Sequence, residues 1–300
     1  MNAQDQTTNR LETIRAAWLS FQQGRYPTGV REPIIRSWQR SRAAGVSPRL
    51  PGAPLVWDRS QLAAARAHNE ELIEAASPYL ADLERGFSDQ GMVLVLLDPE
   101  VRALLVRGDS KALAAGEKVL LVPGSDWSEV QVGTNAMGTA FMEGTHVRVL
   151  AAEHYLERLH SWSCVAAPIR HPRTGEVVGF LDFSADRTAM SPHADLILQS
   201  TIAAVQSRLA AEDLRLRSCL LEAYSDRLSQ QRLAPLAAVD RFGQLVKASQ
   251  AELNESLARP ELEAALRKML AAGVEVQTSI SVGGRPVSLT LRPVHLEQRI

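Results

Sequence analysis

Much that would mark an enzyme or a membrane protein is missing from this chain of 300 residues. No stretch approaches the ~18 uninterrupted apolar residues of a membrane-spanning helix. The segment Met1 to Gly24 is polar and lacks the apolar run of a secretory leader. Only two cysteines occur, Cys164 and Cys219, far apart and in unrelated contexts. Neither a disulfide framework nor a thiolate metal site is indicated, and a reducing cytoplasm fits. One-sided charge is lacking too: 33 basic against 34 acidic residues leave a formal charge of -1. That balance creates no chain-wide attraction to nucleic acid or anionic membrane. No phosphate loop ending in Gly-Lys-Ser/Thr, no paired acid and base, no repeat and no low-complexity tract is visible. What is present is 45% hydrophobic content, ample for the core of one large domain or two modest ones.

Three regions differ in pattern. Residues 1–86 read as a helical region. Leu11, Ile14, Ala17, Trp18 and Phe21 recur at helical spacing, and Gly24 closes that segment. Arg31 to Ala44 predicts a second helix with Pro33 near its start and Gly45 just past its end. Asp58 reads as the cap of a third, running towards Phe87 and interrupted near Pro78. Residues 87–210 then change period. Met92 to Leu97 and Val101 to Val106 predict strands around Asp98-Pro99-Glu100. His146 to Ala151 predicts another strand, followed by a helix around His154 to His160. Trp162 to Arg170 and Glu176 to Ala185 form a hairpin. Strands that pair locally and alternate with helices favour an α+β fold with a central antiparallel sheet. Ser191-Pro192 opens a connecting helix over 192–232. Its Leu198, Ile202, Val205, Leu209, Leu216 and Leu220 suit either a dimer seam or packing on the chain's own sheet. Residues 233–300 predict a strand pair, helical sequence from Gln250 to Ala272, and a last hairpin around Gly283-Gly284: a small, trimmed PAS-like α+β domain.

Candidate side chains each admit a plain structural role. Asn135, between Gly133 and Gly138, can cap a helix or reach a ligand. Five of seven histidines lie between His146 and His193, yet their spacing matches no regular metal motif, which favours ordinary surface or core imidazoles. Cys164 and Trp162 share one face of a strand, and a cysteine there is more often a small hydrophobe than a nucleophile. Arg31, Arg36, Arg40, Arg42 and Arg49 make a locally basic segment, read as a solvated basic face rather than a DNA-reading helix.

Several phrases occur together in order: Ser37-Trp38-Gln39-Arg40-Ser41 with Gly45-Val46-Ser47-Pro48, Gly133-Thr134-Asn135-Ala136-Met137-Gly138-Thr139, Glu153-His154-Tyr155, Trp162-Ser163-Cys164, the Pro168 hairpin, and Pro192-His193. The combination resembles the GAF-domain sensory region of bacterial regulators of the acetoin and glycerol-metabolism type (sigma-54-dependent, Fis-family-like), from Arg31 to about Leu209 and more weakly beyond. The resemblance implies a ligand-sensing module, not an enzyme, with the Gly133 to Thr139 phrase on the pocket side. Pocket candidates are Trp127, Asn135, Thr139, His154, Trp162 and Cys164. It also implies a small-molecule effector, and contact with DNA and RNA polymerase only through an output domain or partner that this sequence does not contain; a homodimer through the long helix is expected from its apolar seam. No cofactor and no metal is expected, with iron on His154, Cys164 and nearby acids as a minor alternative. A second reading makes the chain an adaptor whose surface binds a metabolic enzyme or kinase subunit without a small ligand.

Overall fold

Residues 92–97, Met-Val-Leu-Val-Leu-Leu, offer water no polar side, and they form a strand, β1 (Met92–Leu97), buried on both faces. In the computed structural model, residues 3–88, 90–230, 235–251, 266, 269, 275–282, 285–292 and 294 are described. With β2 (Ala103–Gly108), β3 (Val147–Leu150), β4 (Trp162–Arg170) and β5 (Val177–Asp186), β1 builds an antiparallel sheet in the order β2-β1-β5-β4-β3. Period-two alternation sorts its side chains into two cores. Leu94, Leu96, Val165 and Phe183 pack with α4 (Glu70–Gly86) and α8 (Ala194–Gln230). Val93, Val95, Cys164 and Phe180 pack with α1 (Ala3–Gln22), α2 (Glu32–Ala43) and α7 (Ala136–Glu143). The expected α+β fold with an antiparallel sheet is therefore present, as three layers.

Several boundaries moved. The helix after Asp58 is two helices, α3 (Arg59–His68) and α4, and the break is at Asn69. Asp58 and Gln61 close a capping box on α3, while Pro78 sits inside a continuous α4. β2 starts at Ala103 because Val101 has φ 60°, in a turn where the Asp98 carboxylate accepts from the amides of Glu100 and Arg102. The helix expected around His154 to His160 is two short 3₁₀ turns, Ala151–Glu153 and Glu157–Leu159. Two helices were not anticipated: α5 (Ser110–Glu117), capped by Asp109, and the single turn α6 (Glu129–Val132). On α8, Leu198, Ile202, Val205 and Leu209 are buried against the sheet. For this stretch, packing on its own sheet describes that face.

The basic segment is not a solvated face. Arg40 grips the Glu129 carboxylate with two nitrogens, Nε to Oε2 at 2.6 Å and Nη2 to Oε1 at 2.9 Å, and reaches Glu143 at 3.2 Å. Arg36 also pairs with Glu143, Arg31 with Glu153 at 2.7 Å, and Arg42 lies over the Phe21 ring. Ser37 donates to Glu129 at 2.6 Å and lies 3.1 Å from the Thr139 hydroxyl, and the Trp38 indole donates to the Glu153 carbonyl at 2.7 Å. Helix α2 is thus keyed into the domain by hydrogen bonds across the sequence.

Chain contacts divide into two compact units, Met1–Ala210 and Ala211–Ile300. The first includes both the helical region 1–86 and the sheet. In the second, β6 (Ala237–Val239) pairs with β7 (Leu245–Ala248), and β8 (Val276–Val282) pairs with β9 (Arg285–Leu291) from Val282 opposite Arg285. Gly283-Gly284 and most of Gln250 to Ala272 lie outside the described residues. Among the described residues no helix is long and apolar enough to cross a membrane.

Arg40→Ala strands a carboxylate, Glu129, that is 4% exposed. Such a change should cost about 2–3 kcal/mol of stability, read from the urea midpoint. Arg49→Ala, at an exposed arginine, should shift stability by less than ~0.5 kcal/mol.

Candidate functional site

The phrase from Gly133 to Thr139 is a turn held by the side chain of Asn135. Gly133 has φ 70°, and a Cβ there would lie 2.6 Å from the Tyr155 side chain. Only glycine meets both demands. Asn135 caps α7: its Oδ1 accepts from the Gly138 amide at 2.9 Å, and its Nδ2 donates to the carbonyls of Trp127 at 2.9 Å and Gly133 at 2.8 Å. A Cβ on Gly138 would lie 2.6 Å from the Trp127 carbonyl oxygen, so the turn closes tightly over that strand of chain.

Between this turn and the sheet lies an enclosed hollow of about 10 Å³, the room of about one water molecule. Trp127, Asn135, His154, Trp162 and Cys164 line it, joined by Leu121, Met137 and Ser184. Five of the six sequence candidates therefore meet. The sixth does not: Thr139 points across α7 to Ser37 on α2, because its helical position faces the leader helix rather than the sheet.

Two groups here keep polar atoms without a partner among the described residues, His154 Nε2 and Asp182 Oδ1. His154 is wholly buried, and its Nδ1 lies 2.9 Å from the Ala151 carbonyl. A carbonyl only accepts, so Nδ1 carries the proton and Nε2 is a bare acceptor. Burial is the main cause that lowers the pKa of this imidazole to about 3. Asp182 sits on β5 opposite Val95 and Ala166, buried, with Ser184 donating to its Oδ2 at 2.6 Å. Burial raises its pKa to about 7, against the lowering effect of Ser184. The Cys164 thiol is pushed well above its ordinary value, first by burial and then by Asp182. Its sulfur stays protonated, a poor nucleophile. No Lys or Arg among the described residues lines the hollow. Among the described residues no group of three or more His, Cys, Asp or Glu could hold a metal ion.

Asp182 and Ser184 were not among the candidates. Their signal was an acid at an inward position of the otherwise apolar strand Phe180–Ala185.

Residues 11–210 match the family model described as MimR, N-terminal domain. The chain belongs to this family. Among its relatives, the acetoin dehydrogenase operon transcriptional activator AcoR of Bacillus subtilis is 29% identical over 220 residues, 73% of this chain and 36% of that protein. The propane 2-monooxygenase operon transcriptional activator MimR of Mycolicibacterium smegmatis is 29% identical over 210 residues, 70% of this chain and 34% of that protein. An uncharacterized 47.3 kDa protein of Rhodococcus erythropolis is 35% identical over 181 residues, 60% of this chain and 41% of that one. The chain thus spans between a third and about two fifths of these relatives' length. The E. coli DhaR(N)-DhaL complex supplies a fold neighbour with TM-score 0.64 and 17% identity, covering 88% of this chain and 95% of that one. The relatives whose functions are named are transcriptional activators, not enzymes.

The two buried groups titrate in opposite senses. Asp182 holds its proton in the fold up to about pH 7 but loses it near 3.8 when unfolded, so its contribution falls as pH rises through that window. His154 stays neutral in the fold down to about pH 3 but protonates near 6.5 when unfolded, so its contribution falls as pH drops. Relative to wild type, Asp182→Asn should gain stability from pH 4 to 7, by up to ~1.4 kcal/mol per unit. His154→Gln should gain it from pH 6.5 downwards. Urea midpoints from pH 4 to 8 check both.

Proposed function

We propose that this chain is the sensory region of a bacterial transcriptional activator, and that a small neutral effector enters the hollow beneath the Gly133 to Thr139 turn. The observation that carries this reading is a buried hollow walled by Trp127, Leu121, Met137 and Trp162, with no Lys or Arg among its lining residues, and lined also by His154, whose Nε2 has no partner among the described residues. Apolar walls with one or two placed polar groups suit a small organic molecule, and the lack of Lys or Arg disfavours an anion. The operons named for the relatives, acetoin dehydrogenase and propane 2-monooxygenase, fit an effector of a few carbons. A hollow of about 10 Å³ must widen to take it, so binding favours an opened state over the closed one.

A route for the signal runs along the edge strand. His154 adjoins Glu153, which pairs with Arg31; the Arg31 guanidinium also donates to the Arg148 carbonyl. The Arg148 and His146 side chains pair with Asp195 in the first turn of α8, His146 at 2.7 Å. Movement of the pocket wall thereby bears on the helix that leads onward, with couplings of ~1–3 kcal/mol typical of such links. In this reading the sheet unit is a GAF sensor, the second unit is PAS-like, the protein acts as a cytoplasmic homodimer, and DNA and RNA polymerase are met by other parts of the regulator.

One observation favours a protein-binding alternative. A groove of about 620 Å³ beside α1, lined by Leu11, Arg15, Trp18, Leu19, Glu157 and Arg187, is open enough for a partner's side chains. The DhaR(N) neighbour was solved as a complex with DhaL.

Thermal unfolding against a panel of three- and four-carbon alcohols, ketones and diols separates the readings. A true effector at 100 times its Kd adds about 2.7 kcal/mol of stability. Asp195→Ala should keep that stabilisation and lose effector-dependent reporter activity in the full-length regulator. If no compound stabilises the protein while a partner protein binds the α1 groove, the adaptor reading replaces this one.

A further inference from the structure

We propose that the hollow selects a ligand that donates a hydrogen bond, a small alcohol rather than a ketone or hydrocarbon, with its hydroxyl directed at His154 Nε2. The proposal rests on the preceding reading of the hollow as the effector site and adds the chemistry of recognition.

The polar inventory of the walls leads there. Asn135 uses both amide hydrogens on the carbonyls of Trp127 and Gly133, and its oxygen on the Gly138 amide. The Trp127 indole donates to Ser125 Oγ at 2.9 Å. Ser184 directs its hydroxyl proton to Asp182. Among the lining side chains, only His154 retains a buried nitrogen or oxygen atom without a partner among the described residues. The Ala151 carbonyl holds the ring in one tautomer, so Nε2, on a residue that lines the hollow, carries a lone pair. Its low pKa keeps it so across the physiological range.

A ligand hydroxyl satisfies that lone pair. A carbonyl oxygen placed there sets lone pair against lone pair and leaves both unpaired in a dry site. Sites built to bond a substrate's O–H discriminate strongly against analogues that lack it. The remaining carbons would meet Leu121 and Met137, which ask only for apolar surface.

The test compares 2-butanol with 2-butanone, matched in heavy atoms, by calorimetric titration of the full chain. The alcohol should bind at least tenfold more tightly. His154→Leu should bring the two affinities to within about twofold. Because that variant replaces a buried side chain, a wild-type measurement stands beside it: the ¹⁵N resonance of His154 Nε2 should move upfield with 2-butanol and stay put with 2-butanone. Equal affinities with an unmoved nitrogen overturn the donor assignment and leave the effector site standing. If no member of the wider panel binds at all, the effector site and the donor assignment fall together.

Discussion

The Glu129 carboxylate is buried beneath an arginine fork from Arg40 and a serine hydroxyl from Ser37. Leaving such an anion alone in the interior would be costly, and satisfying it requires helix α2 to sit in one place. That placement lets the Ser37 hydroxyl meet Thr134 at 2.7 Å and the Trp38 indole meet the Glu153 carbonyl. The leader is therefore tied to the two stretches, Glu129–Thr139 and Glu153–Tyr155, that form the wall of the hollow. The first stretch holds the single turn α6, a capped loop and the start of α7; the second begins at the last residue of a 3₁₀ turn. The anchored helix supplies the rigidity that a binding wall needs.

Inside that wall the chain keeps polar groups where apolar ones would be more stable. His154 and Asp182 are both buried with an atom unsatisfied among the described residues, and burial shifts each towards its neutral form. A core built for stability alone would fill these positions with hydrocarbon. Local breaches of this kind are expected where a site recognises something, because recognition needs donors or acceptors left open to the ligand.

The strands of the first unit were legible because burial on one or both faces writes directly into the order of residues. Met92–Leu97 and Trp162–Arg170 match their expected bounds. Caps were legible for the same local reason, as at Asp58 and Asn135. The site was legible in part. Glycines around an asparagine signalled a constrained turn, and Trp162 and Cys164 share an inward face. Thr139 was assigned to the hollow and lies against α2, since helical phase alone does not say which neighbour a side chain meets. The basic segment misled for a related reason: arginines four residues apart look solvated until their acidic partners, about 90 to 120 positions away, are seen.

Period, caps and turns, all properties of neighbouring residues, determined an α+β chain with an antiparallel sheet and a constrained Gly133 turn. Only the tertiary structure decided that α8 packs Leu198 to Leu209 on this chain's own sheet, that Arg40 closes on Glu129, and that His154, with one ring nitrogen unpartnered among the described residues, lines a hollow. Each of those facts depends on groups distant in sequence meeting in a medium too dry to leave polar atoms indifferent to their partners, and no local pattern encodes such a meeting.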